Sequence, residues 1–423
     1  MKKLAFILVA IALFAFSFGC SSSSTGSSAS SNQKVTLRYG IWDKNQKPAL
    51  LTIADDFHKK NPNITVKIEV TPPADNAYWT KLETAAQGGS LPDLFWMNGP
   101  NSIKYESNGI LMPLDDLVKN KSVDPKNYPS SLVDLYTYNK TLYGVPKDFD
   151  TIALWYNKKL FDDAKVPYPT SSWTWADIQN AAQRVTNKSK GIYGIAAPLY
   201  NQEGFYNTIY QNDGSVISAD GKTSGYDQPA TIEGLKFWTD FIQKGYSPTQ
   251  AQMTDNTAES LFESGKVAMI YSGSWMAIEY AQNEYTKDKV DLTVLPEGKK
   301  RAVMIHGLAN VISAKTKYPE QAKKFLAYLG SKDAALVQAK TGTVIPAFNG
   351  TQQAWVDSNK QYNLQSYIDE LQYSIPLPHS KDTAKWWDDE TTILKKAWSG
   401  DIPVDQAAQQ LAKVMNQDLA AEK

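Results

Sequence analysis

The chain is 423 residues long and carries 44 basic against 44 acidic side chains, a formal charge of zero. That length exceeds one ordinary domain and suits two lobes, each with its own apolar interior. The charge balance leaves no basic field for nucleic acid and favours a neutral ligand, while 12 Trp and 23 Tyr supply more polar aromatic surface than a core needs, as binding clefts require.

From the start, Lys2 and Lys3 precede an apolar run from Leu4 to Phe18 and a small-residue exit at Gly19-Cys20, the layout of an export signal over residues 1–19. The run has 15 residues, short of the roughly twenty that span a bilayer, and no other stretch approaches that length. Loss of the signal removes two lysines and leaves a charge of about −2. Cys20, the only cysteine, resembles the modified cysteine of a bacterial lipoprotein; the plain alternative is ordinary cleavage leaving a free thiol. The lipoprotein pattern prefers Leu three residues before that cysteine, and Ser17 stands there. Residues 20–33, nearly all Ser, Thr, Gly, Ala and Asn, have the composition of a flexible tether.

Beyond the tether, Val35, Leu37, Tyr39 and Ile41 alternate as one face of a strand. Pro48 opens a helix with Leu50, Ile53, Ala54 and Phe57 at helical spacing, ending before Asn61-Pro62. Ile64, Val66, Ile68 and Val70 alternate again, so strand, helix and strand follow one another as in a parallel sheet with a right-handed crossover. A second helix, with Tyr78, Leu82, Ala85 and Ala86 on one face, stops at Gly88-Gly89, and Leu94–Met97 reads as a strand buried on both faces. Val145-Pro146 and Ile152–Tyr156 read as extended segments separated by a polar link, Lys147–Thr151, where a hinge is expected. Residues 160–300 are mainly helical: Asp227 caps a helix with Pro229 just inside it and Ile232, Leu235, Trp238 and Ile242 on one face, and Gly245 ends it. Val267–Tyr271 is a short buried strand, Val303–Ser313 is extended, Pro319–Leu329 is a helix stopped by Gly330, and amphipathic helices fill the remainder from Gln353.

Catalytic and cofactor motifs fail on spacing. Gly221-Lys222-Thr223 would close a phosphate loop only with glycine at 216, where Val216 stands. His58, His306 and His379 are far apart with no cysteine beside them, so no metal site is expected, and nothing calls for a cofactor. Ser272-Gly273-Ser274 lacks the glycines of a nucleophile elbow. Asp388-Asp389-Glu390 is the densest acidic cluster and reads as a solvated helix face.

What remains is a set of aromatic and short polar side chains at strand ends. A pyranose offers an apolar CH face that packs on a flat ring and a belt of hydroxyls that needs fixed donors and acceptors. Trp42-Asp43 follow the first strand, Asn98 follows the buried strand, Asp148 and Asp150 flank the hinge, and Trp275 begins a helix. Ligands of open α/β sheets bind outside the carboxyl ends of strands, where these residues fall. Trp79, Trp155 and Trp238 keep core periodicity, whereas Trp42, Trp275 and Trp386 do not.

Several segments, in their order, carry a resemblance over nearly the whole mature chain: Phe57–Val66, Leu91–Leu94 with Gly109–Asp115, Tyr143–Pro146 with Leu154–Lys158, Phe262–Met269 with Gly273–Trp275, and Tyr318–Ala322 with Phe325-Leu326. Together they resemble the ABC-transporter extracellular solute-binding protein family 1, the maltose-binding-protein-like sugar-binding lipoproteins. The resemblance implies an α/β, two-lobed periplasmic-binding-protein type II fold with discontinuous lobes joined by a hinge. The N-terminal lobe would take residues 34–148 plus 303–350 and the C-terminal lobe 152–300 plus 354–423. It also implies Trp275 as a stacking ring, Trp386 or Trp387 as the aromatic of a late helix, Asp43 and Lys44 as polar residues after the first strand, Tyr206 beside Phe205 as a second-lobe aromatic, and His306 on a hinge-adjacent strand.

The function so implied is binding without chemistry. A neutral sugar, an oligosaccharide, is clamped between closing lobes at the extracellular face of a bacterial membrane and passed to ABC permease subunits. The protein would be a monomer attached through lipid on Cys20. One rival is a lipid-anchored glycoside hydrolase, which needs two acids at a set separation. The other is a receptor for a charged solute such as glycerol phosphate, against which stands the scarcity of arginine: Arg38, Arg184 and Arg301 only.

Overall fold

The computed structural model describes residues 34–72 and 77–422, so the export signal, Cys20 and the tether lie outside the described residues. Alternating apolar residues form β1 (Val35–Ile41), and the helix Lys47–Lys60 returns the chain to β2 (Ile64–Val70), parallel to β1 with Val35 opposite Ile64. The helix Ala77–Gln87 leads to β3 (Leu94–Asn98), parallel to β1 on its other side. A small hairpin, β4 (Thr137–Tyr138) and β5 (Thr141–Leu142), precedes β6 (Gly144–Asp150), and β7 (Ile152–Asn157) follows after Thr151 alone. β8 (Met269–Gly273) and β9 (Val290–Thr293) flank β7, both antiparallel. The last strands are β10 (Val303–Ile312), β11 (Ile345–Pro346) and β12 (Ser374–Pro376).

Besides the β4-β5 hairpin, these strands make two sheets, ordered β2-β1-β3-β10-β6-β11, with β12 paired to β10, and β8-β7-β9, one in each lobe of the α/β fold. Two strands tie the lobes together. The chain leaves the larger sheet at Asp150 and enters the smaller one at Ile152, with the Thr151 hydroxyl fixed to the Tyr367 carbonyl at 2.7 Å. β10 pairs with β12 through Val303–Ile305 and with β3 and β6 through the rest of its length.

Three local expectations are corrected. Lys147–Asp150 is not a polar link but the end of β6, because its backbone pairs with β10 and β11. Lys147 itself falls at a bulge opposite the Leu308/Ala309 step, beside Pro146, which has no N–H to give a ladder. Asp227 is not the cap of its helix: Pro229–Gln243 starts from Gln228 with no side-chain cap bond. The apolar interior is also not divided lobe by lobe. Alternate residues of β7 face opposite ways, so Ala153 and Trp155 join the cluster of the larger sheet while Ile152, Leu154 and Tyr156 join the other. Trp355 packs edge-on to Tyr367 at 5.9 Å, Tyr367 accepts the Trp155 indole N–H at 2.6 Å, and Trp155 packs on Tyr362 at 5.0 Å, an aromatic ladder that carries the first core into the second lobe.

Among the described residues no helix is long and apolar enough to cross a membrane.

Candidate functional site

A cavity of about 630 Å³ opens between the sheets, within the range of small-molecule sites, and it is lined from both lobes. Its first wall begins where β1 ends. Trp42 is wedged edge-on against Tyr78 (4.9 Å) and Trp96 (5.0 Å), so its ring orientation is set by packing. Asp43 caps the turn Lys44–Gln46, accepting the Asn45 backbone N–H at 2.8 Å and the Gln46 side-chain amide at 3.0 Å. Asn98, at the end of β3, caps the helix Gly99–Ser107 through the N–H of Asn101.

From Asp43 a polar chain runs under the cavity. Gln46 accepts a hydrogen bond from the Lys147 ammonium at 2.8 Å, Lys147 pairs with Asp148 and sits 4.3 Å above the Trp96 ring, and Asp148 also accepts the Leu308 N–H at 3.1 Å. Gln46, Lys147 and Asp148 are all buried, so each charge or dipole is answered within the chain. Two residues on, Asp150 accepts the Gln202 amide at 2.6 Å. It keeps part of its surface open to the cavity, yet desolvation pushes its carboxyl well above the usual range, helped by Asp148 and Glu203 and opposed by Lys147 and Gln202. His306 lies opposite Asp150 on β10; burial, then the neighbouring His379, push it down to about 4, so the ring is neutral.

The second wall carries the other rings. Trp275 follows β8 and folds back over Gly273, where an added Cβ would stand 2.0 Å from the indole. Trp387 projects from the helix Thr383–Trp398. Asn201 and Gln202 come from the turn Asn201–Phe205, and Asn201 is held by the buried Glu390 at 3.2 Å.

Of the eleven residues expected at the site, nine line this cavity: Trp42, Asp43, Lys44, Asn98, Asp148, Asp150, Trp275, His306 and Trp387. Tyr206 and Trp386 do not. Tyr206 is fully buried and donates to Glu390 at 2.7 Å; Trp386 is fully buried and donates to Ser380 at 2.8 Å. Glu390 is likewise no solvated acid: Tyr206, Tyr226 and Asn201 all donate to it, and burial pushes it up to about 7. Asn45, Gln46, Asn201, Gln202 and Glu279 line the cavity without having been singled out. The first two extend the polar turn after β1 and were within reach of the sequence; Asn201-Gln202 sit in an aperiodic turn with no signal of their own.

A second groove, about 680 Å³ beside β2 and the helix Ala77–Gln87, has no tryptophan among the described residues that line it; there Arg38 pairs with Glu69 at 2.9 Å and the Lys81 ammonium donates to the Thr71 hydroxyl at 2.9 Å. Among the described residues no arginine lines the interlobe cavity.

The chain is 24% identical to the maltodextrin-binding protein of Bacillus subtilis over 92% of each chain. It is 26% identical to a maltooligosaccharide ABC transporter solute-binding lipoprotein of Streptococcus pneumoniae, covering 78% of this chain and 76% of that one. Among solved structures, an ABC substrate-binding protein of Listeria monocytogenes in complex with cycloalternan superposes with a TM-score of 0.86 at 27% identity, over 92% of this chain and all of that one. The acarbose-binding receptor GacH of Streptomyces glaucescens, at 21% identity and a TM-score of 0.81 over 92% of this chain and 99% of that one, shares the fold. The sequence profile of the bacterial extracellular solute-binding proteins matches residues 43–336, and with the two-lobed fold and interlobe cavity this places the chain in that family.

Proposed function

We propose that this protein captures a neutral oligosaccharide in the interlobe cavity and presents it to an ABC importer. The observation that carries the reading is the composition of the cavity: three indole rings, Trp42, Trp275 and Trp387, from both lobes, surround polar groups, and the charges of two of them are answered within the chain, Asp43 by its own turn and Asp148 by Lys147. Flat rings suit the CH faces of sugars, and neutralised polar groups suit hydroxyls better than ions. The likeness to maltodextrin- and maltooligosaccharide-binding proteins supports the same class. The ligand contacts fall to the nine cavity-lining residues, and opening about the Asp150–Ile152 and Val303–His306 crossings would admit the sugar. The protein works as a monomer, anchored outside the cell by lipid on Cys20, with membrane permease subunits as its partner.

The protein is not a hydrolase on this reading. Both oxygens of Asp43 and of Asp148 are engaged by protein donors, so among the described residues of the cavity only Asp150 and Glu279 remain as acids that could act across a glycosidic bond. Calorimetric titration of residues 34–423 with malto-, xylo-, manno-, cello- and raffinose-type oligosaccharides, followed by chromatography of the recovered sugar, tests the proposal. Micromolar or tighter binding of one class, with the sugar intact, is expected; no binding across the panel, or release of shorter sugars, would overturn it.

A further inference from the structure

Nearly every buried polar group around the cavity has a partner within the chain, which makes the exceptions informative. His306 Nδ1 and Trp387 Nε1 are both buried and find no hydrogen-bond partner among the described residues. Both residues line the cavity, His306 from β10 where the lobes join and Trp387 from the second lobe. Leaving such atoms unanswered costs stability, and a protein carries that cost where something else completes the bond. The adjacent indole of Trp386 makes the contrast plain: it is deeper in the fold and satisfied by Ser380 at 2.8 Å.

We infer that His306 Nδ1 and Trp387 Nε1–H are reserved for the bound ligand, and that together they select an uncharged oxygen function, a sugar hydroxyl or ether, over an ionic group. This deepens the proposed function and rests on it. The indole N–H can only donate, so the ligand must bring an acceptor oxygen to it. The neutral imidazole offers one donor and one acceptor nitrogen, and a hydroxyl can answer either. The groups facing His306 argue against ions. Asp148 on β6 is paired with Lys147; Asp150, directly opposite on β6, is held by surroundings that favour its uncharged form; and His379, in the segment after β12, spends its Nδ1 on the Leu377 carbonyl at 3.1 Å. An anion would meet carboxyl oxygens, and a cation would meet in Asp150 a carboxyl that burial holds toward its uncharged form.

Two variants test this on the mature chain. His306→Phe keeps a planar ring and removes both nitrogens; Trp387→Phe keeps an aromatic face and removes the N–H. The probe is maltotriose, or whichever neutral oligosaccharide of the panel the unmodified protein binds, read by calorimetry alongside the melting temperature of the free protein. Each variant is expected to lose about ten-fold or more in affinity while the free protein melts at the same temperature or higher, since an unanswered buried group has been removed. Unchanged affinity in both variants would sink the inference and leave the proposed function standing. A melting temperature that falls together with the affinity would assign the two atoms to the scaffold and also overturn it. If the unmodified protein binds no member of the panel, the proposed function fails and the inference with it.

Discussion

Gly273 and Lys147 set the shape of the cleft without offering a ligand anything themselves. Gly273 has an ordinary extended backbone, so its missing side chain matters because the Trp275 ring occupies that space. In Gly273→Ala the backbone is unstrained but the indole must swing away. Calorimetry should show roughly ten-fold weaker sugar binding with a nearly unchanged melting temperature, the value of one well-placed aromatic contact. Lys147 is the opposite case, a buried ammonium that balances Asp148 and holds Gln46. Lys147→Met leaves Asp148 buried and unpaired, which costs about 3–5 kcal/mol in denaturant unfolding, and adding Asp148→Leu recovers most of that loss. At this scale the sequence was partly legible. Asp43, Asn98 and Trp275 follow apolar strands and so fall at the cleft edge, but that Lys147 neutralises Asp148 depends on a bulge set by a strand about 160 residues away, with Leu308 bonded to Asp148.

The helix Thr383–Trp398 shows how one element divides its residues between core and cleft. Successive helical side chains diverge by about 100°, so Trp386 and Trp387 cannot face the same way. Trp386, Glu390, Ile393 and Ala397 form one buried stripe, which turns Trp387 toward the cavity. Trp386→Phe should therefore lower stability by about 1–2 kcal/mol, through the lost Ser380 bond and a small void, while calorimetry shows the affinity for sugar unchanged. The sequence placed an aromatic of this helix at the site and left open which of the two it was, because the rotation of a helix about its axis is set by what it packs on. Here that is Tyr206 and Tyr226, which donate to Glu390.

For the whole molecule, the buried acids and the buried imidazole make stability depend on pH with opposite signs. Burial pushes Glu106, Glu203 and Glu390 up to about 7 and Glu370 to about 8. Their folded values lie above their unfolded ones, so the stability they contribute is complete below the unfolded carboxylate range. It is lost progressively as pH rises from that range up to about 7 to 8, where the folded chain ionises as well. His306 has the other sign: neutral in the fold down to about 4, it favours the unfolded chain as pH falls below the ordinary imidazole range. Four raised acids outweigh one lowered imidazole, so thermal unfolding should show a melting temperature that falls from about pH 5 through about pH 6 to about pH 8.5. Glu370→Gln should narrow the difference between the two higher values. Closure of the lobes adds a further term, and the tight-binding sugar at about a hundred times its Kd should stabilise the protein by about 2.7 kcal/mol, seen as a raised melting temperature. What the sequence determined by itself was the order of strands and helices and the strand-end position of most of the polar and aromatic site residues, because periodicity of two or 3.6 and the residues that stop a helix are local properties. Only the tertiary structure decided that β6 runs through the expected link, that one core continues from lobe to lobe, and that Trp387, Asn201 and Gln202 rather than Trp386 and Tyr206 face the cleft. Those outcomes rest on contacts between residues far apart in the chain, such as Glu390 with Tyr206, which no local pattern encodes.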